Sequence, residues 1–390
     1  MNYNEIKMNA PIDFDIVFDE KTQEWVTRPI KGFSEKHLNE VSFVPMKESH
    51  SANTYNSKNK NSNLHAAKRE KNDEFYTMFE DIQNEMSHYK EFFKDKVVYC
   101  PCDKAFNIGR SEFFNYFASL FQDLGLKKLI CTQYNPNGNG TIFEISNSIF
   151  GGKGIKWEYN GEFEESSFID ESEINTSLLK GNGSFDSDEC YKIMNEADII
   201  VTNPPFSLFR SFVNQLICLG KKFLIIGNQN AITYKEIFPL IMENKLWLGY
   251  YSPKKFRVTS LTNKNCEVLP NGDIIAKFGN ICWFTNLPHH KRLTELYCGE
   301  TYSEEKYPKY DNYDAIEVSK VCEIPKDYDG VMGVPITFLY SYCPSQFEIV
   351  DPRGFTDIER LKSKNTLLIK DKDSAINGKP TYARIAIRKK

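Results

Sequence analysis

The segment EADIIVTNPPFSLF, residues 196–209, decides how this chain is read. Ile199, Ile200 and Val201 form a short apolar run closed by prolines, the pattern of a buried strand. Asn203, Pro204, Pro205 and Phe206 follow at its carboxyl end. An Asn side-chain carbonyl and the backbone carbonyl after it are both acceptors, so together they suit the two hydrogens of an exocyclic –NH2. The prolines fix the turn that makes these acceptors converge, and the Phe206 face suits stacking on a planar ring. The same tetrapeptide also suits a plain loop, because Asn-Pro commonly starts one.

Working outward from it, strands and helices alternate. Phe79, Ile82, Met86, Tyr89 and Phe93 recur at helical spacing. Residues 96–100 (KVVYC) read as a strand, 111–124 as a helix with Phe113, Phe114, Phe117 and Phe121 inward, and 128–134 (KLICTQY) as a second strand. After an acidic stretch come a helix at 187–196, a strand at 198–202, a helix at 207–219, a strand at 222–227 and a helix at 233–244. Residues 246–251 (LWLGYY) and 280–287 (NICWFTNL) supply late strands at one edge. Continuously apolar strands alternating with helices indicate an α/β fold whose parallel sheet is covered on both faces. Beyond residue 290 periodicity weakens, and ITFLY (336–340) and ARIAI (383–387) read as strands of a smaller module.

The 390 residues allow more than one module. Residues 1–45 hold apolar positions enough for a hairpin, and 46–72 are Asn/Ser/Lys-rich with little to bury, a linker or arm. The ten cysteines are scattered, mostly in apolar runs, which suggests reduced thiols in a cytoplasmic protein. Cys100-Pro101-Cys102 has no second Cys or His pair at ligand spacing, so no metal is expected. Neither a signal peptide nor a continuous apolar stretch of membrane-spanning length is apparent. The net charge of −4 argues against a nucleic-acid protein. Its distribution softens that objection: residues 158–196 are acidic, whereas Lys254, Lys255, Arg257 and Lys264 cluster and 360–390 are rich in Lys and Arg. Such patches suit phosphates.

Ligands of open α/β sheets sit beyond the carboxyl ends of the strands, where strand order reverses. Cys100, Pro101, Cys102 and Asp103 end the first strand of this region and Asn203 ends a later one, so both belong to one sheet edge. Asp103 is a candidate acid for polar groups of a cofactor. Neither a GxGxxG fingerprint nor a Walker phosphate loop is present.

The arrangement around Asn203 resembles that used by methyltransferases acting on amino groups of bases. Lys71-Asn72-Asp73-Glu74-Phe75-Tyr76-Thr77 resembles the KxDEFYT segment before the first strand of many amino-methyltransferases. The order of DEFYT, VVYC-P-CD, LGLKKLI, TNPPFSLF, KKFLII, TYKE, NK-LWLG, YPKYDNYDAI and GVMGVPITFL resembles the EcoRI DNA adenine methyltransferase family from about residue 65 onward. The resemblance implies a Rossmann-like methyltransferase with a mostly parallel seven-stranded sheet. It implies transfer of a methyl group from S-adenosylmethionine to the 6-amino group of adenine in duplex DNA, with the base flipped out of the helix. Asn203, Pro204, Pro205 and Phe206 carry over as catalytic residues. Tyr76, Thr77, Cys100, Pro101, Cys102 and Asp103 carry over to the cofactor. Asn182, Ser184 and Phe185 stand where the family has a Gly-Asp motif against the cofactor adenine, and Gln133 where an acid usually meets the ribose.

The expected division is an extension at 1–45, an arm at 46–72, a catalytic domain at 73–290 and a recognition module at 291–390, with 251–280 contributing. Lys254, Lys255, Arg257, His289, His290, Lys291 and Arg292 are the candidate DNA contacts. A monomer is expected, with a cognate restriction endonuclease as a candidate partner. The same tetrapeptide chemistry also serves the 4-amino group of cytosine. The departures at 182, 184 and 133 leave a non-catalytic DNA-binding relative as a further alternative.

Overall fold

The computed structural model describes residues 75–103, 112–135, 153–161, 174–258, 266–311, 314–350 and 375–390, together with two strands near the amino terminus. Most of 1–45, the arm at 46–72, Asp73, Glu74 and Lys264 lie outside the described residues. The chain divides into two units, 1–61 and 62–390. In the first, β1 (Phe14–Asp19) pairs antiparallel with β2 (Glu24–Pro29).

The second unit opens with β3 (Tyr76–Thr77), α1 (Phe79–Met86), β4 (Val97–Pro101), α2 (Glu112–Ser119), β5 (Lys128–Gln133), β6 (Ile155–Tyr159) and β7 (Asn175–Leu178). It continues through α3 (Asp188–Glu196), β8 (Ile199–Thr202), α4 (Phe209–Cys218), β9 (Lys222–Asn228), α5 (Phe238–Met242) and β10 (Trp247–Leu248). Then come β11 (Lys255–Val258), β12 (Cys266–Val268), β13 (Ile274–Lys277) and β14 (Ile281–Thr285). The carboxyl-terminal part holds β15 (Ala315–Glu317), β16 (Val331–Val334), β17 (Phe347–Ile349), β18 (Ala375–Ile376), β19 (Lys379–Pro380) and β20 (Ile385–Lys389).

The main sheet runs β10-β14-β9-β8-β4-β5-β6-β7. This corrects the expected mostly parallel sheet of seven strands: the described residues form eight, and the sheet is mixed. Only β9, β8, β4 and β5 are parallel to their neighbours, while β6, β7, β14 and β10 join antiparallel. The parallel strands have helices on both faces and are apolar throughout, the signature that sequence detects best. β6 instead alternates, with Trp157 and Tyr159 buried and Lys156 and Glu158 partly exposed, and β7 is a largely exposed polar edge.

Alternating side chains send the strands' residues to two cores. Tyr99, Ile130, Ile200, Phe223 and Ile225 pack with α3, α4 and α5. That core continues without a break into Ile316, Met332, Phe338, Phe347 and Ile387 of the carboxyl-terminal part. Val98, Leu129, Val201, Leu224 and Trp283 pack on the other face with α1, α2 and a small sheet of order β12-β13-β11-β3. Two local expectations differ. ITFLY (336–340) is a 3-10 turn rather than a strand, following Pro335, and the helix expected at 233–244 is confined to α5, which starts where Pro239 can occupy its first turn. No helix among the described residues is long and apolar enough to cross a membrane.

Candidate active site

The chain runs from β4 outward to β5 on one side, then returns through β8 on the other side of β4. The strand order therefore reverses between β4 and β8, the place where α/β sheets bind ligands. Their carboxyl ends are stitched together. The Thr202 hydroxyl donates to the Pro101 carbonyl, the Asp103 amide donates to Thr132 at 2.9 Å, and Tyr99 and Thr132 share a side-chain bond of 2.6 Å. Cys102 turns the backbone with φ 64°, which swings Asp103 back under the edge, where it is 3% exposed.

Asn203 stands at this edge, partly buried. Its Nδ2 donates to the Phe75 carbonyl at 2.6 Å and to Thr77 Oγ1 at 3.3 Å. An amide nitrogen has two hydrogens to give, and both are used inside the protein. What Asn203 offers a ligand is therefore its Oδ1 acceptor. Pro204 and Pro205 carry no N–H, so this turn adds no backbone donor. Phe206 opens a 3-10 turn leading into α4, and its ring lies 5.8 Å from that of Phe75, which meets Phe278 edge-on at 4.5 Å. β3 reaches this position because β11 pairs with it, Phe256 opposite Thr77 and Arg257 opposite Tyr76. Sequence reasoning found Tyr76 and Thr77 but missed the Phe75 carbonyl and the pairing of β3 with β11, neither of which leaves a residue signature.

Around this point lie the expected cofactor residues. Cys100 and Cys131 face one another across β4 and β5 and are hydrogen-bonded. Burial pushes both thiols up, and the nearby Asp103 carboxylate pushes the same way. The ligand atoms of Cys100, Asp103 and Cys131 are buried and lie within 4.8 Å of one another. Gln133 ends β5, half-buried, with its carbonyl against Gly183. A Cβ on Gly183 would stand 2.2 Å from that oxygen, and φ there is +77°. The 181–185 segment is thus drawn onto the β5 edge, helped by the Asn135 amide donating to the Asn182 carbonyl at 2.7 Å. The Asn182 Oδ1 accepts from the Ser184 amide at 3.1 Å, and Ser184 bonds the Asp186 carboxylate. Phe185 is 5% exposed and meets Phe212 edge-on at 5.0 Å, so its ring serves the core.

Comparison with known proteins settles the family. A family model described as adenine-specific methyltransferase EcoRI matches residues 63–390. The chain is 45% identical over 341 residues to the type II methyltransferase M.EcoRI of Escherichia coli, covering 84% of this chain and 96% of that protein. It is 40% identical over 336 residues to M.MpnI of Mycoplasma pneumoniae, covering 83% and 97%. It is 38% identical over 335 residues to M.MgeORF184P of Mycoplasma genitalium, again covering 83% and 97%. No solved structure matches the chain. The chain belongs to the EcoRI adenine-specific methyltransferase family. Its reaction is the methylation of adenine in DNA.

The cations expected to meet DNA fall into two groups in this methyltransferase. Lys254, Lys255 and His290 are exposed. The others are engaged within the fold. Arg257 pairs with Glu112 at 3.3 Å and Asp273 at 3.4 Å. His289 is 5% exposed, bonds the Leu248 carbonyl at 2.9 Å, and is held by burial at a pKa of about 4. Lys291 donates to the Tyr250 carbonyl at 2.8 Å, and Arg292 lies 4.2 Å over the Trp247 ring while bonding Asn244. In the described part of the basic tail, Arg384 grips Glu317 and Arg388 grips Glu348, and both lie on or beside β20. Of the charges that sequence reads as a basic surface, Arg257, Arg384 and Arg388 are paired with carboxylates inside the fold.

Proposed function

We propose that this enzyme transfers the methyl group of S-adenosylmethionine to the 6-amino group of a flipped-out adenine at a specific duplex site. The observation that carries this reading is the Asn203 amide, whose two N–H groups are taken by Phe75 and Thr77. The Asn203 Oδ1 and the Pro204 carbonyl accept the amino hydrogens of the base. That draws the nitrogen toward tetrahedral geometry and frees a lone pair that the ring otherwise delocalises. When bound, the cofactor supplies an electrophilic methyl on a sulfonium. The residues present fit it: the buried Asp103 carboxylate suits its cationic or hydroxyl groups, and Thr77 and Gln133 add polar contacts at the same edge. Asn182 and Ser184 replace the family's acid with neutral groups, so Asp186 beside Ser184 is the nearest carboxylate to that position.

Most of the rate gain then comes from positioning and from preorganised acceptors. Phe206 stacks on the extruded base, whose unstacking costs a few kcal/mol. Residues 73–290 perform the transfer, and 291–390 with 251–280 read the site. The enzyme works as a cytoplasmic monomer in restriction-modification or DNA protection, alongside a cognate endonuclease. The test is incubation with duplex DNA and tritiated cofactor, followed by digestion to nucleosides. Label in 6-methyladenine supports the reading; label in 4-methylcytosine, or none, overturns it.

A further inference from the structure

Glu85 lies outside the site described above, in the last turn of α1, and is 0% exposed. Its carboxylate accepts from the backbone amides of Tyr250 at 2.9 Å and Tyr251 at 2.8 Å, and from the Tyr89 hydroxyl at 2.9 Å. The strap that joins β10 to β11 approaches this closely because residue 249 is glycine. A Cβ there would stand 2.2 Å from Glu85 Oε1 and 2.7 Å from Trp283 Cβ. Burying a carboxylate is costly even when it is hydrogen-bonded, and such groups are weak contributors to stability. Its place in the chain suggests another use.

β3 runs into α1, and α1 carries Glu85. Glu85 holds the strap, the strap enters β11, and β11 pairs with β3. The circuit closes on the two groups that fix the Asn203 amide, the Phe75 carbonyl and the Thr77 hydroxyl. We propose that Glu85 is a positioning residue for methyl transfer: by pinning the strap it fixes β11 and β3, and so holds the acceptors that orient Asn203. The inference rests on the role given to Asn203 above.

Titratable groups face Glu85 from every side. Tyr89 and His88 follow it at the end of α1, and the His88 ring stacks on Tyr250 at 3.5 Å. Lys291 approaches from beyond β14, where His289 meets the Tyr89 ring edge-on, Cys282 from β14 itself, and Tyr340 from the carboxyl-terminal part. Burial pushes Glu85 up to about 7, against the opposing pull of its hydrogen bonds and of Lys291. Protonated, it still accepts from the two strap amides and can donate to the Tyr89 oxygen. The raised value means that the closed strap binds the proton more tightly than an opened one, so the strap should loosen and turnover fall as pH rises through about 7.

The test compares the full-length enzyme with Glu85→Gln on duplex DNA and labelled cofactor. A misplacement of this kind is expected to lower kcat by about tenfold to a hundredfold, with DNA and cofactor Kd within about threefold. The pH inflection near 7 should be lost in the variant. Tyr89→Phe, which removes one donor of three, should give a smaller fall. Hydrogen exchange on the unmodified enzyme needs no variant: protection of the β3 amides should fall together with that of Tyr250 and Tyr251 as pH rises through about 7. Unchanged kcat and pH profile in Glu85→Gln overturn the proposal, and so does β3 protection that ignores the strap. Adenine methylation by the unmodified enzyme in the same assay separates failure here from failure of the assigned function.

Discussion

The side-chain amide of Asn203 is tied to the backbone carbonyl of Phe75, 128 positions earlier in the chain, by a hydrogen bond of 2.6 Å. This bond sets which end of the amide the ligand meets. Asn203→Ala removes the acceptor, and Asn203→Asp sets a carboxylate oxygen against the Phe75 carbonyl. Both should lower methylation by about a hundredfold or more, the scale of losing one preorganised transition-state interaction. Cofactor affinity should stay within a few-fold. Tritiated methyl transfer and calorimetric titration measure the two separately, and retained turnover in either variant would rule out the acceptor role.

Phe206 is half-buried, with its ring 5.8 Å from Phe75, and it begins the turn into α4. Its backbone place does not depend on the ring, so Phe206→Ala should fold. Loss of one stacked aromatic costs about 1–3 kcal/mol per base, which predicts a smaller share of extruded base. Substrate carrying 2-aminopurine at the target should show a weaker fluorescence rise with the variant. An unaltered rise would mean that another residue stacks on the base.

Lys255 and Lys277 are exposed and stand directly opposite each other on β11 and β13. Like charges so placed are destabilising, a tension that a bound phosphate relieves. Lys255→Ala and Lys277→Ala should each weaken DNA binding equally for all sequences and reduce the salt slope by about 0.9 for each phosphate left unneutralised. Arg257→Ala should behave differently. It strands Glu112 and Asp273, so it should lower the melting temperature more than it alters the salt slope. Fluorescence anisotropy across ionic strength, with thermal unfolding alongside, distinguishes the two classes.

The parallel heart of the fold was legible because β4, β5, β8 and β9 are each short and largely apolar, and β4, β8 and β9 are followed by helical periodicity. The tetrapeptide was legible for the same reason, since it stands at a strand's end. β6 and β7 were not, because edge strands keep polar residues and lie in the acidic stretch. The anchors of Asn203 were hidden too: a main-chain carbonyl leaves no residue signature, and the β3–β11 pairing joins distant segments. Charge was the least reliable guide. A basic residue reads alike whether it faces solvent, as Lys255 does, or spends its charge on Glu112 and Asp273, as Arg257 does.

Burial shifts His289 and Glu85 in opposite directions. Burial holds the His289 pKa near 4 against an ordinary 6.5, so the fold favours the neutral ring. Its contribution to stability is complete above 6.5 and is lost as pH falls toward 4. Glu85 is raised from 4.5 to about 7, so its contribution is complete below 4.5 and is lost as pH rises to 7. Each shift of this size corresponds to roughly 3 kcal/mol, and between 4.5 and 6.5 the two slopes oppose. The native enzyme should therefore show little change in unfolding free energy from these groups across that window. Glu85→Gln removes one limb and should make stability fall more steeply on acidification. His289→Gln, which keeps a donor for the Leu248 carbonyl, should tilt the curve the other way. Urea unfolding at several pH values reads both slopes, and parallel curves for the native enzyme and both variants would show that neither group titrates in the fold as its burial requires.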